Sequence, residues 1–293
     1  MTRNTKAAAL MVLAMAMIST NDALIKSASE SLSVSQILFI RGVFACALFA
    51  GLIKLRGRPL CPPLITDRAN LMRGALEVVT TLCFVTGLSL LPIAIATTLV
   101  WTSPILLTVF GALVLKEPVT PTRWLAVVAG FAGVLLITRP FGGGFSAAMI
   151  LPLTAAFVLA LRDTVTRRID PRLGTLNVTL TTLVMVTASG GVLSFFAWHP
   201  VDGSHMLKLP IAAGLLAFGF FFMIEAVRLG DLSFVAPFTF SAVVAALVLG
   251  YFVWDEVPGP ATFAGVVLIV AACVHILRRG RPPAQDSDGP RTS

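Results

Sequence analysis

Charge is what this chain has least of. Asp, Glu, Lys and Arg make up 12% of its 293 residues, too few to clothe a water-soluble domain of that size. Three histidines, His199, His205 and His275, lie far apart without ligand spacing, so no metal centre is expected. Of the four cysteines, Cys46, Cys83 and Cys273 sit in apolar stretches and Cys61 in a loop, which predicts no disulfide framework. A phosphate-cradling G-x-x-x-x-G-K-[ST] loop is missing; the run Gly142-Gly143-Gly144 lacks the lysine and reads as a connector. No nucleophile–base pair or His-rich helix face appears in the apolar stretches. These absences argue against a soluble protein, a nucleotide-driven pump and an enzyme, and no cofactor is expected.

What is abundant is hydrocarbon. Apolar residues make up 57% of the chain and mean hydropathy is +0.92. The fold class expected is an all-α membrane protein with ten spans, at 7–26, 34–55, 71–91, 93–115, 122–138, 145–161, 173–197, 209–229, 232–253 and 260–277. The stretch 7–26 is taken as a first span, since no small-residue cleavage exit follows it. With the N-terminus in the cytoplasm, 18 of the 22 Lys and Arg fall on the inner side and three, Lys26, Arg139 and Lys208, on the outer. That bias places both termini inside and explains the net charge of +8 without nucleic acid. The residues 281–293 read as a polar, disordered tail.

The hydrophobic pattern occurs twice. Leu91–Arg139 aligns with Gly230–Arg278 at an offset of 139: Glu117 falls on Glu256, Pro121 on Pro260, Trp124 on Phe263. Earlier, Asp22 falls on Asp163 and Lys26 on Arg167 at an offset of 141. Five spans per copy is an odd number, so the second copy is inverted in the membrane, as in secondary transporters. The expected units are 1–141 and 142–280.

Charged or interrupted positions inside spans need a reason. Asn21 and Asp22 end span 1, and Arg41 begins span 2, each within about 10 Å of the outer surface by helix rise. Asp22 and Arg41 are expected to pair, as a structural lock or as cavity lining. Glu77 follows Arg73 by four residues, and Glu225 precedes Arg228 by three, so each acid has a helix neighbour to pair with. Glu77 is the deeper and the better cavity candidate. Asp163 at the end of span 6 is expected to face water or headgroups. Span 4 holds Thr97, Thr98, Trp101, Thr102, Ser103 and Pro104; span 9 answers with Phe234, Pro237, Phe238, Thr239, Phe240 and Ser241. Pro104 and Pro237 interrupt corresponding helices, which points to a transport site there. Trp101 and Phe238 offer flat faces to a ring-shaped solute. Glu117 and Glu256 are expected to serve the helix N-termini of spans 5 and 10. Gly130 and Gly133 permit close helix approach, within one chain or in a homodimer.

These residues carry a resemblance. Asn21-Asp22, Arg41-Gly42, Arg73-Gly74, the run Gly87–Pro92, Ser103-Pro104, Glu117-Pro118, Ala236-Pro237 and Trp254-Asp255-Glu256 together resemble the EamA-type branch of the drug/metabolite transporter superfamily, over residues 7–278. The resemblance implies a basket of helices around a central cavity in the bacterial inner membrane. The Asn21-Asp22 and Arg41 pattern is similar to that of riboflavin and S-adenosylmethionine importers. It implies a small-molecule solute, held by Asn21, Asp22, Arg41, Glu77, Trp101 and Phe238, with the lipid bilayer as the other partner. The same fold would also suit an efflux carrier of amino acids or drugs; a non-transporting scaffold would leave the paired prolines without a purpose.

Overall fold

The computed structural model describes residues 3–57, 59–60, 66–113, 121–138, 146–166, 168–170, 172–229 and 236–278. Among the described residues it is helical with no strand. Glu117, Arg139, Arg167, the Gly142–Gly144 run, the tail, and the side chains of Pro104 and Pro237 lie outside them.

The helices are α1 (Arg3–Ala28), α2 (Val34–Leu55), α3 (Arg68–Leu90), α4 (Ile93–Val100), α5 (Ser103–Leu113), α6 (Pro121–Thr138), α7 (Ile150–Thr166), α8 (Thr175–Ser194), α9 (Gly203–Leu229), α10 (Ser241–Trp254) and α11 (Pro260–Arg278). Turns of 3-10 helix, Ala147–Met149 and Ala236–Phe240, precede α7 and α10. Six segments, in α1, α2, α3, α7 with its leading turn, α8 and α9, are long and apolar enough to cross a bilayer; shorter apolar helices lie within 127–137, 238–254 and 260–272. The helix expected over 145–161 runs instead to Thr166, so Arg162 and Asp163 fall in its last turns. The one expected over 209–229 begins at Gly203, because the Asp202 carboxylate accepts the His205 N–H and starts it early. That carboxylate is held below its ordinary range, first by this backbone bond and then by the Ser204 hydroxyl.

Local chemistry sets the other ends. Ser33 and Gln36 form a reciprocal capping box on α2. Asp67 caps α3 through Ala69 N and Asn70 N. Asp255, in left-handed conformation at φ 52°, closes α10 by donating to Tyr251 O, and Glu256 N donates to Gly250 O.

The helices pair across the chain's two halves: α1 on α9, α2 on α8, α3 on α7, α4 on α10 and α6 on α11. Close approach depends on glycine at several of these seams. A Cβ on Gly190 of α8 would stand 2.9 Å from Phe39 N on α2, and one on Gly87 of α3 2.8 Å from the Pro152 ring on α7. The main core, with Ile37, Leu88, Leu99, Ile105 and Ile269, draws on both halves. Leu125, Val128, Val192 and Phe252 are exposed on the outside, a surface suited to lipid tails rather than water.

Candidate functional site

Span 4 is broken within its polar cluster. α4 ends at Val100, the Trp101 N–H still reaching Thr97 O, and α5 starts at Ser103 with Pro104 in its first turn. Thr98 and Thr102 turn their hydroxyls back onto Ala94 O and Leu99 O. The Thr97 Oγ1 is buried without a hydrogen-bond partner among the described residues. At the break, Trp101 is half-buried between α1 and the second half of the chain, packing against a cluster of Met11, Ala14, Met15, Ala226 and Ala242. Its ring meets Phe240 edge-on, with centroids 6.3 Å apart. Phe240 is thus an aromatic partner of Trp101. Phe238 is 36% exposed. The 3-10 turn Ala236–Phe240, at three residues per turn, rotates the faces away from their α-helical register.

Farther along α1, Arg41 donates to Asn21 Oδ1 at 3.2 Å, and Asn21 donates to Asp22 Oδ1 at 2.9 Å. The expected Asp22–Arg41 pair is therefore a relay through a buried amide, with no direct ion pair between the two among the described residues. Asn21 is fully enclosed, and Arg41 is nearly so. Ser19 ties this part of α1 to the second half by donating to Ala242 O at 3.1 Å.

Two charged clusters lie about 20 Å apart along α3, judged by helix rise from Glu77 to Leu91. At one, Glu77 of α3 pairs with Arg162 of α7, which also pairs with Asp163 at 2.6 Å. Arg73, the partner expected from i−4 spacing, bonds Thr182 of α8 instead, and its Nε is buried without a hydrogen-bond partner among the described residues. Glu77 is tied across helices rather than within its own. Asp163 keeps a side chain 41% exposed while bonded to Arg162. Glu225 is half-buried, and the side chain of its expected neighbour Arg228 lies outside the described residues.

At the other cluster, Lys26 donates to Glu256 Oε1 at 2.5 Å and to Leu91 O at 2.7 Å. Glu256 Oε2 accepts the Ile93 N–H at 2.8 Å. This overturns the expectation that Glu256 serves the N-terminus of the following helix: it caps α4, 163 residues earlier. Local pattern could not reveal that partner.

An apolar groove of about 360 Å³, lined by Phe39, Gly191, Ser194, Phe195 and Trp198, holds none of the candidate residues. Among the described residues no group of His, Cys, Asp and Glu could hold a metal ion.

The sequence matches the EamA-like transporter family over residues 5–139 and 146–278. It is 30% identical over 220 residues to a riboflavin transporter of Rhizobium johnstonii, covering 73% of each chain. It is 22% identical to an S-adenosylmethionine uptake transporter of Rickettsia prowazekii, covering 88% of each. It is also 27% identical to a pseudopaline exporter of Pseudomonas aeruginosa, covering 92% of this chain and 95% of that one. A solved crystal structure shares the fold at TM-score 0.64 and 19% identity, covering 95% of this chain and 99% of the other.

Proposed function

The chain belongs to the EamA-like transporter family, a multi-pass protein of the bacterial inner membrane and not an enzyme, and from that premise we propose that it imports a riboflavin-like or S-adenosylmethionine-like metabolite by alternating access. One observation carries the proposal. The interruption at Trp101–Thr102 sets an indole, beside the unpartnered Thr97 hydroxyl, between the two halves of the chain. Broken helices at a repeat interface are where carriers expose backbone and side-chain groups to a solute.

In this reading the chain is ten spans in two inverted five-helix repeats, 1–141 and 142–280, with both termini in the cytoplasm. The helix pairings support it. Exchanging the halves turns the α1–α9 pairing into the α3–α7 pairing and leaves α2–α8, α4–α10 and α6–α11 unchanged as pairs. Such a pattern suits a two-fold axis in the membrane plane. The end bearing Lys26 is then the outer one, and the end bearing Arg162 the inner one.

Trp101 stacks on the flat ring of the solute, with Phe238 at the rim and Phe240 bracing the indole. Asn21, Asp22 and Arg41 supply hydrogen bonds and charge to its polar part. By helix rise, Asp22 lies about 10 Å from the level of Met15, where Trp101 packs, a span that matches a ring with a polar arm. Glu77, bound to Arg162, sets the inner end rather than the ring pocket. Pro104 and Pro237 keep the paired helices interrupted.

The test is complementation of bacteria unable to make or import riboflavin, with S-adenosylmethionine uptake measured in parallel. Growth at low external riboflavin, or saturable S-adenosylmethionine entry, lost with Trp101→Ala at equal protein level, is expected. Absence of both, with the protein in the membrane, would reject import of either class. Outward flux would then be measured, as the exporter relative suggests.

A further inference from the structure

The Lys26 end of the bundle carries a cluster of polar contacts, most of which cross from one half of the chain to the other. Lys26 ends α1; Leu91 and Ile93 flank the α3–α4 turn; Trp254 and Glu256 belong to the α10–α11 turn. The Lys26 ammonium bonds Glu256 and Leu91 O, and lies 5.0 Å from the centre of the Trp254 ring. The Trp254 indole N–H donates to Glu30 at 3.0 Å, just past the end of α1. Glu256 holds the ammonium with one oxygen and the first N–H of α4 with the other. Both side chains of the ion pair are largely buried, 11% and 17% exposed.

The backbone is shaped for this contact. Asp255 takes a left-handed conformation, uncommon for a residue with a side chain, and thereby turns Glu256 back toward α4. Gly250 lies beneath the carboxylate: a Cβ there would stand 2.9 Å from Glu256 Oε2 and 3.0 Å from the Ile93 side chain.

We propose that Lys26, Glu256 and Trp254 form a latch that closes the outer mouth and must release once in every transport cycle. The functional meaning rests on the alternating-access reading; the contact itself does not. An ion pair suits the task because its attraction depends on exclusion of water. Dry, it is strong and directional; once the mouth parts and water enters, the charges are solvated and the attraction collapses.

The experiment uses the full chain, freed of its native cysteines, with Ala96→Cys as a reporter one turn below Ile93 and, in a separate sample, Thr181→Cys near the other end. A membrane-impermeant maleimide is applied to each face of oriented vesicles, with no solute present. Lys26→Met and Glu256→Gln are each expected to speed labelling of Cys at position 96 from the outer face about tenfold or more, and to slow labelling at 181 from the inner face. Lys26→Arg should stay near the unaltered rate. The Lys26→Met, Glu256→Gln double variant should label no faster than the faster single one, since both break the same contact. Unchanged rates at 96, or strictly additive gains, would overturn the latch. Faster labelling at both reporters would mean loosening of the whole bundle and would overturn it too. Because no solute is involved, a negative complementation result leaves this outcome intact, and the reverse holds as well.

Discussion

Arg162 on α7 forms an ion pair with Glu77 on α3, 85 residues away in the chain, and holds Asp163 with its remaining nitrogens. The pair is four-fifths buried on both sides. Arg162→Gln leaves Glu77 without its counter-charge, with a loss of stability of about 3 kcal/mol expected. Thermal unfolding in detergent would read it. The double variant Arg162→Gln, Glu77→Gln should recover part of the loss, and a double as poor as the sum of the singles would disprove the coupling.

Asn21 is the hinge of a three-residue relay, accepting from Arg41 and donating to Asp22. Asn21→Leu keeps the volume and removes both bonds, at an expected cost of about 1–3 kcal/mol. Transport should fall with it. Full stability in Asn21→Leu would show that the relay is not what orders this part of α1.

Trp101→Phe keeps a ring against Phe240 at smaller area, so the solute's KM should rise while protein level holds; Trp101→Ala should weaken transport about tenfold or more. Phe240→Leu, which removes the brace and not the stacking face, should have the smaller effect. Equal losses from Phe240→Leu and Trp101→Ala would place the solute elsewhere.

Gly190→Ala and Gly214→Ala make a matched pair. The first sets a methyl 2.9 Å from the Phe39 N and 3.0 Å from Ser35 O, backbone atoms that cannot rotate aside. Parting α2 from α8 there should cost about 1–3 kcal/mol. The second meets nothing within 4 Å and should be neutral or stabilise α9 by up to about 1 kcal/mol. Similar melting temperatures for the two would contradict the seam.

Helix positions were legible because they rest on local chemistry, chiefly the length of each apolar run; the caps Ser33 and Asp67 went unread. The charged partners were not legible. Glu77 has Arg73 one turn away, and spacing alone favours it; the fold brings Arg162 instead. Glu256 precedes a helix and would serve its N-terminus by proximity; the fold gives it α4. In each case the deciding contact joins the two halves, and a periodic pattern carries no record of that.

The cap on α4 also sets a schedule. The first N–H of that helix is satisfied by a carboxylate that leaves the ribosome 163 residues later. At roughly 5–20 residues per second, α4 waits on the order of ten to thirty seconds in the membrane with its entrance uncapped and Lys26 without its counter-charge. A chain cut short before position 256 never closes that end. Assembly of that end therefore waits for the α10–α11 turn, where Glu256 completes a helix begun in the first half.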